Sequence, residues 1–191
     1  MEAVHVPPEI KSELYDRDWS RIGRQISEWI REYIETNGLS GAVVGVSGGV
    51  DSATTAYLVA RAVKDYYFLI LPSESTPKRD IEDALKVVNN LNAGNRFSIV
   101  NIDNIVNIVK ENVGTEDKRV IGNVKARVRM TYLYAFAQKM NYLVVGTGDK
   151  SELLLGYFTK YGDGGVDILP IGDLYKTQVR ALAKALGVPK E

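Results

Sequence analysis

The stretch Gly41-Ala42-Val43-Val44-Gly45-Val46-Ser47-Gly48-Gly49-Val50-Asp51-Ser52 constrains the chain more than any other. Gly41 to Val46 is short and wholly apolar, the pattern of a buried strand, and Ser52 to Lys64 sets small and apolar residues at helical spacing. Between them, paired glycines let the backbone turn tightly and bring several N–H groups toward a ligand with no side chain in the way. The helix end that follows adds partial positive charge, so Gly45, Val46, Ser47, Gly48, Gly49, Val50, Asp51 and Ser52 together read as a phosphate seat. Asp51 sets a carboxylate beside that seat, an arrangement made favourable by a divalent cation, magnesium above all, bridging it to phosphate. The plainer reading is an ordinary strand-to-helix turn in which an Asp or Ser caps the helix. Two other phosphate motifs are excluded by inspection, since the loop has neither Gly-Lys-Ser/Thr nor the Gly-x-Gly-x-x-Gly spacing.

Composition narrows the chemistry. The 191 residues are 45% apolar and 25% charged, enough for one domain with a real core. Acidic and basic residues balance at 24 each, so bulk charge points to neither nucleic acid nor a membrane surface, and any anion must be held locally. The absence of cysteine excludes disulfides, thiolate metal sites and a cysteine nucleophile in this sequence. The single histidine, His5, stands beside Pro7 and Pro8 in a polar lead-in reaching about Asp16, so neither a Ser/His/Asp triad nor a histidine metal site can be assembled. No apolar run has membrane-spanning length and no signal-peptide pattern opens the chain, so the expected location is cytoplasmic.

Along the chain, Ile22, Ile26, Trp29, Ile30, Tyr33 and Ile34 recur at steps of three and four, predicting a helix from Trp19 to about Asn37 with Gly38 after it. Its aromatics suit core packing or a subunit contact. Tyr66 to Leu71 predicts a second buried strand, closed by Pro72-Ser73. A helix starting near Ser75-Thr76-Pro77 carries Ile81, Ala84, Leu85, Val88 and Leu91 on one face. Phe97 to Ile102 predicts a third strand, after which Asp103 caps a short helix to about Asn112, and a longer helix covers Lys118 to Met140. Tyr142 to Val145 predicts a fourth strand. Strands alternating with helices give an α/β fold, a doubly wound parallel sheet with helices on both faces. Ligands collect at the carboxyl ends of such strands, where the Ser47 loop, Pro72-Ser73 and Gly146-Thr147 all fall. The Asn-rich turn from Asn89 to Arg96 has no evident reason in the sequence.

A second set of residues lies further on. At about 100° per residue, Val120, Val124, Val128, Thr131 and Ala135 form one stripe of the long helix, and Arg127 sits about 20° outside it, where a charge needs a partner. Lys125 and Arg129 share another face, read equally as solvated. Asp149 and Glu152 open the next helix; they complement its dipole or face the same cation as Asp51. Phe158 to Leu169 is too glycine-rich for a helix and reads as an ordered loop. Lys176 stands in the first turn of a closing helix from Leu174 to Leu186, an unfavourable place for a cation unless an anion is near.

Ser47-Gly48-Gly49-Val50-Asp51-Ser52 resembles the pyrophosphate loop of the ATP pyrophosphatases, which implies an adenine nucleotide alpha hydrolase-like, Rossmann-like fold and cleavage of ATP between its α and β phosphates. Joined with Gly122-Asn123-Val124-Lys125-Ala126-Arg127-Val128-Arg129-Met130, Val145-Gly146-Thr147 and Gly156-Tyr157-Phe158-Thr159-Lys160-Tyr161-Gly162-Asp163-Gly164-Gly165-Val166-Asp167, the chain resembles the ammonia-dependent NAD synthetases from the first helix onward. The resemblance implies ATP- and magnesium-dependent amidation of deamido-NAD by ammonia, through an adenylate, in a homodimer. It implies ATP contacts for Gly45 to Ser52, Thr147 and Lys176, with Asp51 and Lys176 catalytic. It places magnesium on Asp51 and Glu152, and deamido-NAD on Arg127, Lys160 and Asp167. Relatives of this kind continue past Gly187 with another phosphate-contacting loop, so residues 1–191 are expected to form a single domain lacking that segment. The alternatives are a GMP-synthetase-like or tRNA-modifying pyrophosphatase, or a nucleotide-binding module without catalysis.

Overall fold

A computed structural model describes residues 16–189, so His5 and nearly all of the polar lead-in lie outside the described residues. The first helix, α1 (Trp19–Thr36), begins where the Asp18 carboxylate accepts the Arg21 amide at 2.9 Å and ends before Gly38, whose φ is +65°. Its inner edge buries Ile30 and Ile34, while Trp29 and Tyr33 stay on the surface. Then follow β1 (Gly41–Gly45), α2 (Val50–Ala62), β2 (Tyr66–Ile70), α3 (Lys78–Asn90), β3 (Phe97–Ile99), α4 (Asp103–Val113), α5 (Lys118–Met140), β4 (Tyr142–Val145), α6 (Lys150–Leu155) and α7 (Lys176–Leu186).

The strands form one parallel sheet in the order β3-β2-β1-β4. Alternation along them sorts two cores. Ala42, Val44, Phe68, Ile70, Leu143 and Val145 face α1, α2, α3 and α7, whereas Val43, Leu69 and Val144 meet Ile102, Val106, Val128 and Ala137 from α4 and α5. Each fully buried Leu, Ile, Val or Phe contributes about 1.5–3 kcal/mol, which is why this sheet is covered on both faces. Strand β1 has β2 on one side and β4 on the other, so the chain reverses its winding direction between β1 and β4. That reversal leaves a crevice at the carboxyl ends of these strands. Beyond β4, Asp167 donates its amide to the Val144 carbonyl at 3.0 Å, and Gly146 donates to Ile168 at 2.9 Å, extending the sheet by a short segment. Among the described residues no helix is long and apolar enough to cross a membrane.

Three expectations are corrected here. On α5 the single stripe fails: Val120, Arg127, Thr131 and Ala135 are exposed, and Ile121, Val124, Val128, Leu133, Phe136 and Ala137 pack inward. The helix faces β1 and β4 along one side and α4 along another, so no single apolar stripe describes it. Asp103 does not cap α4; the cap is Ile102, and Asp103 Oδ2 accepts the Glu74 amide at 2.7 Å, tying the loop after β2 to α4. Helix α2 starts at Val50 rather than Ser52, with Gly49 as its cap and no side chain capping it, so neither Asp51 nor Ser52 is the helix cap that the plainer reading expects.

The Asn-rich turn now has a physical account. Asn92 takes φ +49° and Gly94 +61°, the left-handed region that Asn and Gly tolerate best. Arg96 then locks the turn, donating to the carbonyls of Lys64, Asn92 and Ala93 at 3.0–3.1 Å while its guanidinium lies 4.2 Å from the Tyr66 ring centre.

Candidate active site

Gly48, at the tip of the glycine loop, has φ +93°, and a Cβ there would strike the backbone of Asp80 in the first turn of α3. Ser52 staples the loop from the first turn of α2. Its Oγ donates to the Gly49 carbonyl at 2.9 Å, accepts the Ser47 amide at 3.1 Å and lies 3.1 Å from Ser47 Oγ. With Ser52 holding the loop, the Asp51 carboxylate is free to turn away from its own backbone.

It turns toward three residues from the other side of the crevice. Asp149 and Glu152 form a reciprocal capping box at the start of α6, Asp149 Oδ1 accepting the Glu152 amide at 2.8 Å and Glu152 Oε2 accepting the Asp149 amide at 3.2 Å. One carboxylate oxygen from each of Asp51, Asp149 and Glu152 lies within 4.8 Å of the others. Lys176, opening α7, reaches into this group: its Nζ contacts Asp51 Oδ2, sits 3.0 Å from Asp149 Oδ2 and 3.5 Å from Glu152 Oε1. The Lys176 amide donates to Ser151 Oγ at 3.1 Å and the Lys150 amide to Leu174 at 2.9 Å, so α6 and the start of α7 are sewn together. Burial pushes the Asp51 carboxyl above its usual value and Asp149 adds to the rise, against the pull of Lys176. For Lys176 burial opposes the charge, but its contacts with Asp51 and Asp149 and the charge of Glu152 prevail, and its pKa is raised. The anion that excuses a cation in the first turn of α7 is thus a carboxylate cluster.

Beside the cluster, the ends of β1, β2 and β4 enclose a cavity of about 540 Å³. Gly45, Val46, Ser47 and Thr147 line it, and so do Lys125 and Arg129 from α5. Lys125 Nζ donates to Ser75 Oγ at 2.7 Å and Arg129 Nε to the Leu71 carbonyl at 2.8 Å. Of the two face readings of α5, the solvated one therefore fails: the cations face the crevice, and burial holds the Arg129 guanidinium below its ordinary basicity. Gly48 and Val50 instead border a separate cleft of about 510 Å³ with Lys86, Arg180 and Lys184.

Arg127 and Lys160 meet beside α5, whereas Asp167 lies against Tyr134 and strand β4. Arg127, exposed, donates its Nε to the Lys160 carbonyl at 3.2 Å. Asp167 uses both carboxylate oxygens, Oδ1 accepting Tyr134 Oη at 2.9 Å and Oδ2 accepting the Val144 amide at 2.8 Å. The 158–169 loop is ordered as expected: Thr159 donates its amide to Asp163 at 2.9 Å and its hydroxyl to Asn123 at 2.8 Å, and Tyr161 takes φ +58°. The structure brings Asp51, Glu152 and Lys176 into contact and leaves Arg127, Lys160 and Asp167 outside the lining of either cavity. Arg129 and Asp149 are the site residues that the sequence marked least, although the Asp-x-x-Glu spacing of a capping box points to Asp149.

Comparison with known proteins accords with this geometry. The family model for NAD synthase matches residues 22–191. An NH3-dependent NAD synthetase of Sulfurisphaera tokodaii is 57% identical over 184 residues, covering 96% of this chain and 66% of the relative. That of Saccharolobus solfataricus is 59% identical over 173 residues, covering 91% and 62%. The chain thus spans about two thirds of the length of these curated relatives. Among solved structures, an NMN synthetase from Francisella tularensis superposes with TM-score 0.87 at 36% identity, covering 91% of this chain and 73% of that one. An NH3-dependent NAD synthetase from Campylobacter jejuni, in complex with nitrate, gives 0.86 at 39% identity, covering 90% and 75%. With the match running from the first helix through the glycine loop and the carboxylate cluster to the last residue, the chain belongs to the NAD synthase family.

Proposed function

We propose that the protein amidates deamido-NAD with ammonia at the expense of ATP, giving NAD, AMP and pyrophosphate. The observation that carries this reading is the convergence of Asp51, Asp149, Glu152 and Lys176 at the ends of β1 and β4, beside a cavity of about 540 Å³. A cavity of that size suits a nucleotide.

In the first step an oxygen of the nicotinate carboxylate attacks the α-phosphorus of ATP and the bond from that phosphorus to the bridging oxygen breaks, releasing pyrophosphate. In the second, ammonia attacks the acyl carbon of the adenylate, the bond to the AMP oxygen breaks, and one proton is lost. No protein nucleophile is required, which fits a sequence without cysteine; for the same reason these residues offer no cysteine to free ammonia from glutamine.

A carboxylate approaching a polyphosphate meets strong repulsion, so the work assigned to the protein is electrostatic and positional. The donor set fits magnesium: three carboxylates whose oxygens lie within 4.8 Å, with Asp51 Oδ1 buried and without a hydrogen-bond partner. Asp51 and Glu152 would hold the ion, which lowers the charge on the triphosphate when bound. The glycine loop from Gly45 to Ser52 holds the ATP phosphates through those of its N–H groups not already bonded to Leu69 and Ser52, Thr147 contacts ATP from the β4 end, and Lys176 meets the charge that develops as pyrophosphate leaves. Arg127, Lys160 and Asp167 are assigned to deamido-NAD, outside the cavity. A homodimer in the cytoplasm completes the reading, with the exposed Trp29 and Tyr33 of α1 as subunit-contact residues; sedimentation analysis of a Trp29→Ala variant tests that part.

The deciding experiment supplies ATP, magnesium and ammonium with deamido-NAD, with deamido-NMN and with XMP in parallel. Equal yields of NAD, AMP and pyrophosphate from deamido-NAD are expected. Preference for deamido-NMN would move the protein toward the activity named for its Francisella neighbour, and turnover of XMP toward the GMP-synthetase-like reading. Failure to release pyrophosphate with any of them would leave a nucleotide-binding module.

A further inference from the structure

Asp149 belongs to the carboxylate cluster but has been given no ion, phosphate or substrate to hold, yet it is the only one of the three clustered carboxylates that is 0% exposed. One of its oxygens is committed to the Glu152 amide; the other makes no hydrogen bond and faces Lys176 Nζ at 3.0 Å. Capping a six-residue helix does not call for a buried charge, since a neutral Asn or Ser side chain caps as well. The charge at 149 needs another reason, and the only cation within 4 Å of it among the described residues is Lys176. Lys176 in turn touches all three carboxylates, so its ammonium lies at the point where their oxygens converge.

We propose that Asp149 is a positioning residue that holds Lys176 Nζ among Asp51, Asp149 and Glu152, so that the ammonium and a divalent cation compete for the same three carboxylates. This rests on the metal assignment to Asp51 and Glu152 made above. In the metal-free protein, Lys176 keeps three buried or half-buried carboxylates from repelling one another, and the loop after β4 stays closed against the glycine loop. Entry of a divalent ion releases the ammonium from this cluster, next to the seat assigned to phosphate. The third carboxylate tilts the exchange toward the metal, because an ion of charge two gains twice what an ammonium gains from each added negative charge.

The signs differ between the two residues, which makes the inference testable with metal alone. Mn²⁺ is titrated by electron paramagnetic resonance into the full chain without nucleotide. Lys176→Met removes the competitor and is expected to tighten Mn²⁺ binding roughly tenfold or more. Asp149→Asn keeps the cap of α6 but removes one charge, and is expected to weaken binding by a similar factor. Metal-free Lys176→Met melts at a lower temperature than the parent, and Mn²⁺ restores it.

Lys176→Met binding Mn²⁺ no more tightly than the parent would overturn the competition, and Asp149→Asn binding as the parent does would reduce Asp149 to a helix cap. If Lys176→Met does not fold, Lys176→Gln, which also removes the ammonium, takes its place in the same titration, while Asp149→Asn decides only the part played by Asp149. Asp51→Asn is the control for the underlying metal assignment: undiminished Mn²⁺ binding there rejects the assignment itself, whatever the other variants do.

Discussion

Tyr134, in the middle of α5, donates its hydroxyl to Asp167 Oδ1 at 2.9 Å while Asp167 Oδ2 accepts the Val144 amide at 2.8 Å, so one carboxylate joins the long helix, the loop after α6 and strand β4. Of the residues proposed for deamido-NAD, Asp167 is the one that forms that joint. The same contact shows in the phenol, which burial and the neighbouring Asp167 push up to about 12.

Tyr134→Phe should therefore cost about 1 kcal/mol, a hydrogen bond to a charged but partly solvated acceptor. The phenol pKa is higher folded than unfolded, so the contribution is complete below the unfolded value of 10.0 and is lost as pH rises through about 12. Denaturation of the two proteins at neutral pH and at pH values across that window should show the stability gap closing. A gap that persists undiminished would mean that the contact with Asp167 is not its source.

Arg129 offers a different case, because its guanidinium is half-buried and holds the Leu71 carbonyl at the end of β2. Arg129→Met keeps much of the apolar stem but leaves that carbonyl without its donor, and should lower stability by about 1–3 kcal/mol. Because Leu71 and the residues after it wall the cavity, KM for ATP should rise as well. Chemical denaturation and ATP titration of the same sample check both. Loss of stability with unchanged ATP affinity would restrict Arg129 to a structural role.

The contrast between Arg127 and Arg129 marks how far the sequence could be read. Strands β1, β2 and β4 alternate between two apolar layers, and the glycines of the loop mark a turn that few other residues can make, so the sheet, its order of elements and the convergence of three turns at one rim are legible. Helix α5 carries apolar residues toward two neighbours at once, so a one-stripe reading sets Arg127 close to the core side and leaves Arg129 undecided between solvent and a functional face; in the structure Arg127 is exposed and Arg129 half-buried. Asp103 and Asp149 illustrate a further limit. Both are Asp at a helix start, one bonding a distant loop amide and the other buried against a lysine; the capping-box spacing marks Asp149 as a cap, but nothing local in the sequence names the distant partner of either. At Lys176 a cation opposes the helix dipole, and the sign of the dipole calls for a nearby anion without identifying which.

Arg127→Ala should leave stability nearly unchanged, since the residue is exposed and the hydrogen bond its side chain gives the Lys160 carbonyl spans 3.2 Å. Its assignment to deamido-NAD predicts a KM rise of at least roughly tenfold for that substrate, with ATP little affected, as expected for loss of a charged contact. Steady-state kinetics with each substrate varied in turn provides the check. Equal losses for both substrates would point to a general disturbance of α5 instead.

Asp51→Asn separates chemistry from folding most cleanly. The Asn side chain is the same size, and two opposing changes accompany it: Lys176 loses a partner, while a buried carboxylate beside Asp149 no longer has to be ionised. These offset one another, so stability should stay within about 1 kcal/mol of the parent. The negative charge that would anchor a divalent cation beside the glycine loop is gone, and pyrophosphate release from ATP and deamido-NAD should fall by at least roughly a hundredfold. The readout is single-turnover pyrophosphate release, beside a thermal melt of the same protein. A parent-like melt with abolished release places Asp51 in the chemistry. A parent-like melt with parent-like release would remove the carboxylate from it, leaving the Asp51–Lys176 contact as no more than a link between α2 and α7.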